Sequence, residues 1–343
     1  MVGKIKVAVL MGGKTPEYEI SLISGREVVR NLSKDKYDVL PVVISRTGVA
    51  WKLVSPQRLL SFPDTLGLKD TGKDLIVPSR KEIQGAGQLK EEGPDVVFIA
   101  MHGPYGEDGT IQGMLEIAGL TYTGSGVLAS ALGMDKITFK KIMRSANIPS
   151  PRFVAFHKKE RLTKIVKELG LPPYFVKPSA QGSSVGASIV KRKKDLKKAL
   201  DIAFGFGEVV LVEEYIGGIE VTCSVLGNEK PKALPVIEII PKNDFFDYES
   251  KYNESGTQEI VPARISKSLT KKVQNLAVSV YRELGCRGFA RVDFILRDGK
   301  EPVVLEINTI PGLTPMSLLP KAAKAAGISY SRLLDRMISY AIK

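Results

Sequence analysis

Two polar triplets, Arg291-Val-Asp293 and Glu306-Ile-Asn308, lie in apolar segments typical of β-strands, GFARVDFIL and PVVLEIN. Side chains two residues apart on a strand point to the same face of a sheet. Neighbouring strands of this kind would therefore bring three oxygen ligands and one guanidinium group to a common point. Carboxylate and amide oxygens suit Mg²⁺, which keeps its other coordination positions for water and phosphate. These segments predict a magnesium site on one wall of a cleft.

The length of 343 residues predicts two or three domains, each of about 100 to 150 residues. The longest apolar stretch near the start, Val7 to Met11, is much shorter than a membrane span of roughly 20 residues and has no signal-peptide cleavage site. The two cysteines, Cys223 and Cys286, lack the CxxC spacing of a zinc site, and a structural disulfide is not expected. We expect a cytoplasmic protein without a membrane anchor.

The net charge of +13 raises the question of nucleic-acid binding, because basic surfaces attract phosphate backbones. The lysines are dispersed, however, and the densest run, Lys191 to Lys194, comes just before an amphipathic helix pattern, DLKKALDIAF. No basic stripe with interleaved aromatic residues accompanies that run. The composition therefore argues against a nucleic-acid-binding protein.

The first third of the chain alternates strand and helix patterns, which is typical of a parallel sheet. In order, we predict a strand (KIKVAVL), a glycine-rich turn (MGGKTPE), a helix (SLISGREVVRNL), a strand (YDVLPVVI), a strand that ends at His102 (DVVFIAMHG) and a helix (TIQGMLEIAG). Ligands of such sheets gather at the carboxyl ends of the strands. Residues 51 to 92 are polar and weakly periodic, so we expect them to form a surface excursion.

The rest of the chain predicts three helical segments (LASALGM, ITFKKIMRSAN and 164 to 169), then a strand (YFVKP), a glycine- and serine-rich turn (179 to 186) and a strand (ASIV). Later segments, VVLVEEYI, EVTCSVLG and ALPVIEII among them, predict antiparallel strands, and two helices follow at the C-terminal end. The turn joins two strands and opens no helix. It is therefore similar to a hinged phosphate-covering loop and unlike a Walker P-loop.

Two lysines complete the predicted ligand set. Lys177 ends the strand pattern YFVK directly before the turn, where backbone N–H groups can hold an anion. Lys136 comes just before the helix pattern ITFKKIMRSAN. Together with Asp293, Glu306 and Asn308, these lysines predict a site for ATP and Mg²⁺.

This combination resembles the ATP-grasp superfamily, and almost the whole chain is similar to the D-alanine:D-alanine ligases. Seven segments in one order carry the resemblance: MGGKTPEYEISLISG, AMHGPYGEDGTIQGMLEIAGLTYTGSG, ALGMDKITFK, KPSAQGSSVG, DYESKY, GFARVDF and LEINTIPGLTPMSLLP. The resemblance implies an α/β (α+β) fold of three domains, with a parallel α/β domain followed by two α+β subdomains that clasp ATP. The implied domains are 1–124 for D-alanine binding, 125–212 with the phosphate-covering loop, and 213–343 with the metal-binding strands and a lid loop.

The resemblance also implies which residues surround the first D-alanine. Glu17 would receive its ammonium group through a charge-assisted hydrogen bond. Ser183 and Tyr252 would join Glu17 in a hydrogen-bonded triad that fastens two loops over the site, and His102 would lie beside the substrate. Without the resemblance, we would interpret His102 as a structural histidine.

The implied groups for the peptide-forming step lie near the C-terminal end. Arg291 and the backbone N–H of Gly312 would stabilise a tetrahedral oxyanion. Ser317 and the N–H of Leu318 would bind the carboxylate of the second D-alanine at a helix start. From the residues alone, Ser317 is interpreted as a helix N-cap, and the two interpretations are compatible.

The resemblance implies a larger set of residues around the nucleotide. Lysines would contact the phosphates, and a flap serine together with residues of one strand and its continuation would surround the adenine and ribose. These residues are Lys136, Lys177, Lys251, Ser184, Glu213, Glu214, Ile216 and Glu220. Two Mg²⁺ ions, replaceable by Mn²⁺, would be held by Asp293, Glu306 and Asn308.

The implied reaction joins two D-alanine molecules through a D-alanyl phosphate, with release of ADP and phosphate, for peptidoglycan precursors. A related ligase that uses D-serine or D-lactate as its second substrate is an alternative, although Tyr252 favours the dipeptide product. A nucleotide-binding regulatory protein without ligase activity is a further alternative. Relatives commonly form homodimers through the N-terminal region, so the resemblance implies a homodimer.

Overall fold

The protein is described here by a computed structural model that covers residues 3–61, 79–179, 186–241 and 257–343. The described residues form three sheets with helices packed on them, which confirms the predicted mixed α/β class. Among those residues, no helix combines the length and the apolar character that a membrane crossing requires.

The first sheet has the strand order β4-β3-β2-β1-β5. Its strands are β1 (Ile5–Gly12), β2 (Tyr37–Ile44), β3 (Trp51–Leu53), β4 (Lys81–Ile83) and β5 (Val96–Ile99). The helices of this part are α1 (Tyr18–Asn31), α2 (Pro56–Leu60), α3 (Ala86–Glu91) and α4 (Thr110–Ile117). Strand β1 pairs in parallel with β2 and β5, as the alternating pattern predicts. His102 follows β5 by three residues instead of ending it.

The prediction of a surface excursion at residues 51 to 92 is wrong for the described residues. Strands β3 and β4 extend the first sheet in antiparallel pairing. Trp51, Leu53, Ile83 and Leu89 are buried and belong to the core on one face of that sheet. Each of these elements is too short to show a clear hydrophobic period in the sequence. The polar residues between the buried positions therefore make the segment look like a surface loop.

The second sheet has the strand order β6-β9-β7-β8, with antiparallel pairing throughout. Its strands are β6 (Phe153–His157), β7 (Tyr174–Pro178), β8 (Ser188–Val190) and β9 (Val209–Glu214). The helices of this part are α5 (Val127–Met134), α6 (Lys136–Ser145), α7 (Thr163–Leu169) and α8 (Leu196–Phe204). Strand β6 was not predicted. The glycine- and serine-rich turn does join β7 to β8, but residues 180–185 lie outside the described residues.

The third sheet has the order β13-β12-β10-β14-β15, with β11 paired to β10. Its strands are β10 (Gly218–Leu226), β11 (Lys232–Ala233), β12 (Ile237–Pro241), β13 (Thr257–Ile260), β14 (Phe289–Arg297) and β15 (Glu301–Asn308). All of its pairings are antiparallel, as predicted. Helix α9 (Lys267–Glu283), which was not predicted, packs Val273 and Val280 onto this sheet. Cys223 and Cys286 are buried in the same core and form no disulfide, as expected.

The last two helices are α10 (Leu318–Ala325), which contacts β10 of the third sheet, and α11 (Tyr330–Ile342), which contacts α1 and strand β5 of the first sheet. Leu334 and Met337 of α11 share a core with Val7 and Val9 of β1. On the rim, Asp335 accepts hydrogen bonds from Lys36 and Tyr37 at 2.6 and 2.8 Å. The segment 309–317 therefore joins β15 of the third sheet to α10, which contacts β10 of the same sheet, and α11 then carries the chain back to the first sheet.

Candidate active site

The guanidinium group of Arg291 and the carboxylate of Asp293 form a two-point ion pair on one face of β14. Arg291 Nε lies 2.8 Å from Asp293 Oδ1, and Nη2 lies 2.8 Å from Oδ2. Thr222 Oγ1 donates to Oδ1 at 2.5 Å, and Asn308 Nδ2 donates to Oδ2 at 3.0 Å. Both oxygens of this nearly buried carboxylate thus accept two hydrogen bonds each. The predicted neighbourhood of Arg291 and Asp293 is confirmed.

The pairing of β14 with β15 brings the remaining predicted metal ligands to the same face. Asp293 lies opposite Glu306, and Arg291 lies opposite Asn308, next to an irregularity of register after Asp293. Two carboxylates and an amide oxygen fit a hard divalent cation. Within the described ranges, no group of three His, Cys, Asp or Glu side chains is placed to hold a metal ion, so this mixed set is the candidate.

Three lysines lie close to two acidic residues, Glu306 of the metal-site wall and the buried Glu213 behind it. Lys136 Nζ lies 3.9 Å from Glu306 Oε2. Glu213 is buried between two ammonium groups, because its Oε1 lies 2.5 Å from Lys140 Nζ and its Oε2 lies 2.9 Å from Lys177 Nζ. Burial alone would raise the pKa of Glu213, but the two ammonium groups hold it below its usual value. Glu213 is therefore ionised in a basic cluster, and in this structure its carboxylate faces lysines.

His102 contributes a neutral imidazole to the opposite wall. Its Nδ1 lies 3.1 Å from the carbonyl oxygen of Ile310, and its Nε2 lies 2.8 Å from Ser24 Oγ. A carbonyl only accepts hydrogen bonds, so Nδ1 carries the hydrogen. Burial lowers the pKa of His102, which leaves Nε2 to accept from the Ser24 hydroxyl. The ring is thus satisfied by the protein on both sides and still lines the cavity.

Two carboxylates flank Gly103 beside this histidine. Glu107 Oε1 accepts a hydrogen bond from the Gly103 N–H at 2.9 Å. A Cβ atom at Gly103 would lie 2.5 Å from Glu17 Oε2, so the glycine lets Glu17 approach the backbone. Burial raises the pKa of Glu107 to about 8, and the negative charge of Glu17 adds to that rise. This wall therefore combines a buried Glu17 with a Glu107 that is protonated at neutral pH.

Ser317 occupies the N-cap position of α10, but its hydroxyl makes no hydrogen bond to the N–H groups of that helix. Instead, Ser317 Oγ accepts from the Thr314 N–H at 3.1 Å and lies 2.8 Å from Thr314 Oγ1. A Cβ atom at Gly312 would lie 2.7 Å from Ser317 Oγ. A larger residue at Gly312 would therefore have to displace the Ser317 hydroxyl. The predicted N-cap position of Ser317 is confirmed, but its hydroxyl bonds to Thr314 instead of capping α10.

The predicted residues at the end of β9 and in β10 lie farther out. Glu214 accepts hydrogen bonds from Arg152 at 2.9 Å and from Arg297 at 3.3 Å. Ile216 and Glu220 are half-buried on the segment that leads into β10 and on that strand. Ser183, Ser184, Lys251 and Tyr252 lie outside the described residues.

One cavity between the loops of the first sheet, the start of α6 and strands β14 and β15 is lined by many of the predicted residues. These are Glu17, His102, Lys136, Arg291, Glu306, Asn308 and Gly312. Asp293 lies directly behind Arg291, and Ser317 lies directly behind Gly312. The cavity is thus lined by acidic residues, by basic residues and by two of the three predicted metal ligands.

Sequence reasoning missed three residues that the structure places in or next to this site. Glu107 follows His102 within the motif HGPYGEDG, so an acid in a glycine-rich turn was the available signal. Lys140 is four residues after Lys136 and therefore shares one face of α6. Thr222 is found only through strand pairing, because it lies opposite Asp293 across β10 and β14.

The chain matches two family models. The model described as "D-ala D-ala ligase N-terminus" matches residues 6–125, and the model described as "D-ala D-ala ligase C-terminus" matches residues 142–339. Among curated relatives, the D-alanine-D-alanine ligase of Pelotomaculum thermopropionicum is 41% identical over 347 aligned positions. That alignment covers 99% of this chain and 97% of the relative.

Two solved structures show the same architecture. The D-alanine-D-alanine ligase from Coxiella burnetii is 30% identical with a TM-score of 0.83, covering 99% of this chain and 94% of the other. The VanG D-Ala:D-Ser ligase from Enterococcus faecalis is 34% identical with a TM-score of 0.82, covering 99% and 100%. The two family models and the full-length similarity establish that the chain belongs to the D-alanine:D-alanine ligase family.

Proposed function

We propose that the chain joins two D-alanine molecules into D-alanyl-D-alanine through a D-alanyl phosphate, and so supplies the dipeptide for peptidoglycan precursors. An ATP-dependent ligase activity with Mg²⁺ belongs to the family of which this chain is a member. The observation that carries the proposal is one cavity lined by Glu17 as well as by Arg291, Glu306 and Asn308. An amino acid bound there would find a carboxylate for its ammonium group and a guanidinium group for its carboxylate.

For the first step, we assign the binding of D-alanine to the wall that carries Glu17 and His102. Glu17 would bind the ammonium group, and the substrate carboxylate would then point toward Arg291 and attack the terminal phosphorus of ATP. Lys136 and Lys177 would neutralise charge on the phosphates. Asp293, Glu306 and Asn308 would hold Mg²⁺, which supplies further neutralisation of the phosphoryl oxygens when it is bound. The two hydrogen bonds from Arg291 to Asp293 fix the guanidinium group of Arg291 next to the proposed metal site.

For the second step, we assign the oxyanion of the tetrahedral intermediate to Arg291 and the Gly312 N–H. Preorganised donors of this kind typically contribute about 3 kcal/mol each. Ser317 and the Leu318 N–H would bind the carboxylate of the second D-alanine. The Ser317 hydroxyl is hydrogen-bonded to the Thr314 hydroxyl and does not cap α10. The first N–H groups of α10 are therefore not bonded to Ser317, which supports the assignment of a carboxylate to them. The amine of the second D-alanine would then attack the acyl carbon, and phosphate would leave.

We assign the roles of the residues outside the described ranges by resemblance alone. Ser183 and Tyr252 would close loops over the reacting groups together with Glu17, and Ser184 and Lys251 would contact the phosphates. An acyl phosphate hydrolyses readily, so closing loops would protect it from water. Glu213, Glu214, Ile216 and Glu220 would surround the adenosine part of the nucleotide between the second and third sheets.

We also propose the domain division at 124/125 and 212/213, a homodimer and a cytoplasmic location. The strands of the three sheets fall in separate parts of the chain, which supports a division near 124/125, whereas 212/213 falls inside β9 and the change of sheet comes after Glu214. Two buried, unpaired cysteines agree with a reducing compartment. For the dimer, neighbouring helices α4 and α5 expose three large apolar side chains: Met114, Ile117 and Leu128.

The ligase proposal predicts that the chain, ATP, Mg²⁺ and D-alanine release phosphate and D-alanyl-D-alanine in equal amounts. Parallel reactions contain D-serine or D-lactate as a competing second substrate and are followed across pH. They measure which second substrate the chain prefers, a question raised by the similarity to the VanG D-Ala:D-Ser ligase. Release of phosphate without dipeptide would contradict the proposal. Nucleotide binding without any turnover would favour the regulatory alternative.

Replacing Arg291 with lysine should lower kcat by about 100-fold or more, because lysine cannot keep both hydrogen bonds to Asp293 while facing an oxyanion. The matched control is Arg282→Lys, an exposed arginine in the last turn of α9, which should retain the kcat of the unaltered chain. Steady-state dipeptide synthesis measures both variants. An Arg291→Lys enzyme with unchanged kcat would remove Arg291 from the assigned role.

Glu107 should make stability depend on pH. The pKa of Glu107 is raised from 4.5 to about 8 in the folded chain, mainly by burial. The stabilisation by protonated Glu107 is therefore complete below about pH 4.5 and falls as the pH rises to about 8. Glutamine keeps an oxygen for the Gly103 N–H and cannot ionise, so Glu107→Gln should melt progressively higher than the unaltered chain from pH 5 to pH 8, by a few degrees at the end.

Calorimetry at four pH values in this range measures that difference. The matched control is Glu229→Gln, which changes an exposed glutamate in the loop between β10 and β11. Its melting temperature should follow that of the unaltered chain at every pH. A constant offset between Glu107→Gln and the unaltered chain would show that Glu107 does not titrate as described.

The homodimer proposal predicts that Ile117→Glu converts the chain to a monomer, because it places a charge in the exposed apolar patch of α4 and α5. Sedimentation velocity at micromolar concentration compares it with the unaltered chain. The control is Val49→Glu, which changes a similarly exposed apolar residue on a loop of the first sheet. A monomeric unaltered chain, or a dimeric Ile117→Glu variant, would argue against this interface.

A further inference from the structure

Lys140 is a fully buried lysine for which the assigned chemistry has no use. Its side chain is 0% exposed, compared with 11% for Lys177 and 3% for Glu213. Its Nζ lies 2.5 Å from Glu213 Oε1 and donates to the Leu305 carbonyl oxygen at 3.4 Å. Buried lysines are rare and costly unless they are paired. The position of Lys140 therefore calls for a physical reason.

The contacts of Lys140 tie together the elements that surround the proposed nucleotide site. Lys140 belongs to α6, Glu213 to β9 of the second sheet, and Leu305 to β15 of the third sheet. Lys136, one helical turn earlier on α6, lines the cavity itself. The helix thus presents one lysine to the cavity and a second lysine to the interior behind it.

Lys140 also affects the net charge around Lys177, and with it the attraction of Lys177 for an anion. Each oxygen of Glu213 lies within ion-pair distance of one lysine nitrogen, so the cluster of Lys140, Glu213 and Lys177 carries one net positive charge when both lysines are protonated. Burial lowers the pKa of Lys140, and the charge of Glu213 opposes that effect. Without Lys140, Glu213 and Lys177 would form a neutral pair in a buried setting, where such pairs are hard to separate. The lysine at the end of β7 would then be bound to Glu213 instead of facing an anion.

We propose that Lys140 is a positioning residue for the nucleotide: it holds Oε1 of Glu213 and balances its charge, which leaves the charge of Lys177 available to the phosphates of ATP. This inference rests on the nucleotide site of the proposed function. Direct contact between Lys140 and the phosphates is not part of it, because the Lys140 ammonium is enclosed by Glu213 and the backbone of β15.

The test compares the dissociation constants of adenosine and ADP, since adenosine lacks the phosphates that Lys177 would contact. In Lys140→Met the ratio of the adenosine constant to the ADP constant should fall by about tenfold. In Lys140→Met/Glu213→Gln it should return to within about threefold of the unaltered chain, because Lys177 is again without a carboxylate partner that neutralises it. The matched control, Lys141→Met, changes the exposed neighbour on α6 and should leave the ratio unchanged.

The ratio separates this role from a general structural one, because a distorted site would weaken adenosine and ADP together. An unchanged ratio in Lys140→Met overturns the inference and leaves the ligase proposal intact. If Lys140→Met does not fold, the double variant decides alone, and a tenfold lower ratio there overturns the inference. Failure of the unaltered chain to bind ADP at all would overturn both this inference and the nucleotide site on which it rests.

Discussion

The antiparallel pairing of β14 with β15 is the constraint on which the rest of the site depends. It places Asp293 opposite Glu306 and Arg291 opposite Asn308, and every other assigned group is arranged around these four side chains. A shift of β14 by one residue would turn Arg291 and Asp293 to the opposite face of the sheet, away from Glu306 and Asn308. The hydrogen bonds that Asn308 and Thr222 donate to Asp293 from the neighbouring strands oppose such a shift.

Charge in this protein is organised locally, although the chain carries a net charge of +13. Two buried acids near the cavity have defined partners: Asp293 has Arg291, and Glu213 has Lys140 and Lys177. Glu107 differs from these acids, because burial and the negative charge of Glu17 raise its pKa to about 8 and keep it protonated at neutral pH. Low local dielectric makes these arrangements strong, and it also makes each of them sensitive to the loss of one member.

The sequence predicts those parts of the fold and site that depend on local patterns. Strand β2 and strand β7 have their predicted bounds, and the i, i+2 geometry of Arg291 and Asp293 follows from strand alternation. Three features could not be predicted in this way. Trp51 and Leu53 belong to a strand too short to show a period, Thr222 meets Asp293 only through pairing across the sheet, and Lys140 becomes notable only when Glu213 is found beside it. All three depend on contacts between segments far apart in the chain.

The wall assigned to D-alanine and the strand assigned to the metal are mechanically connected. Two residues after Asn308 ends β15, the Ile310 carbonyl accepts a hydrogen bond from His102, whose other ring nitrogen accepts from Ser24 on α1. Helix α1 begins directly after Glu17, so this chain of hydrogen bonds joins the acid assigned to the ammonium to the strand that carries Glu306. The apolar residues of α10 and α11, which follow the same segment, share one core with residues of the first and third sheets. These hydrogen bonds and this shared core hold the two walls of the site together, which favours an attack by one bound group on another.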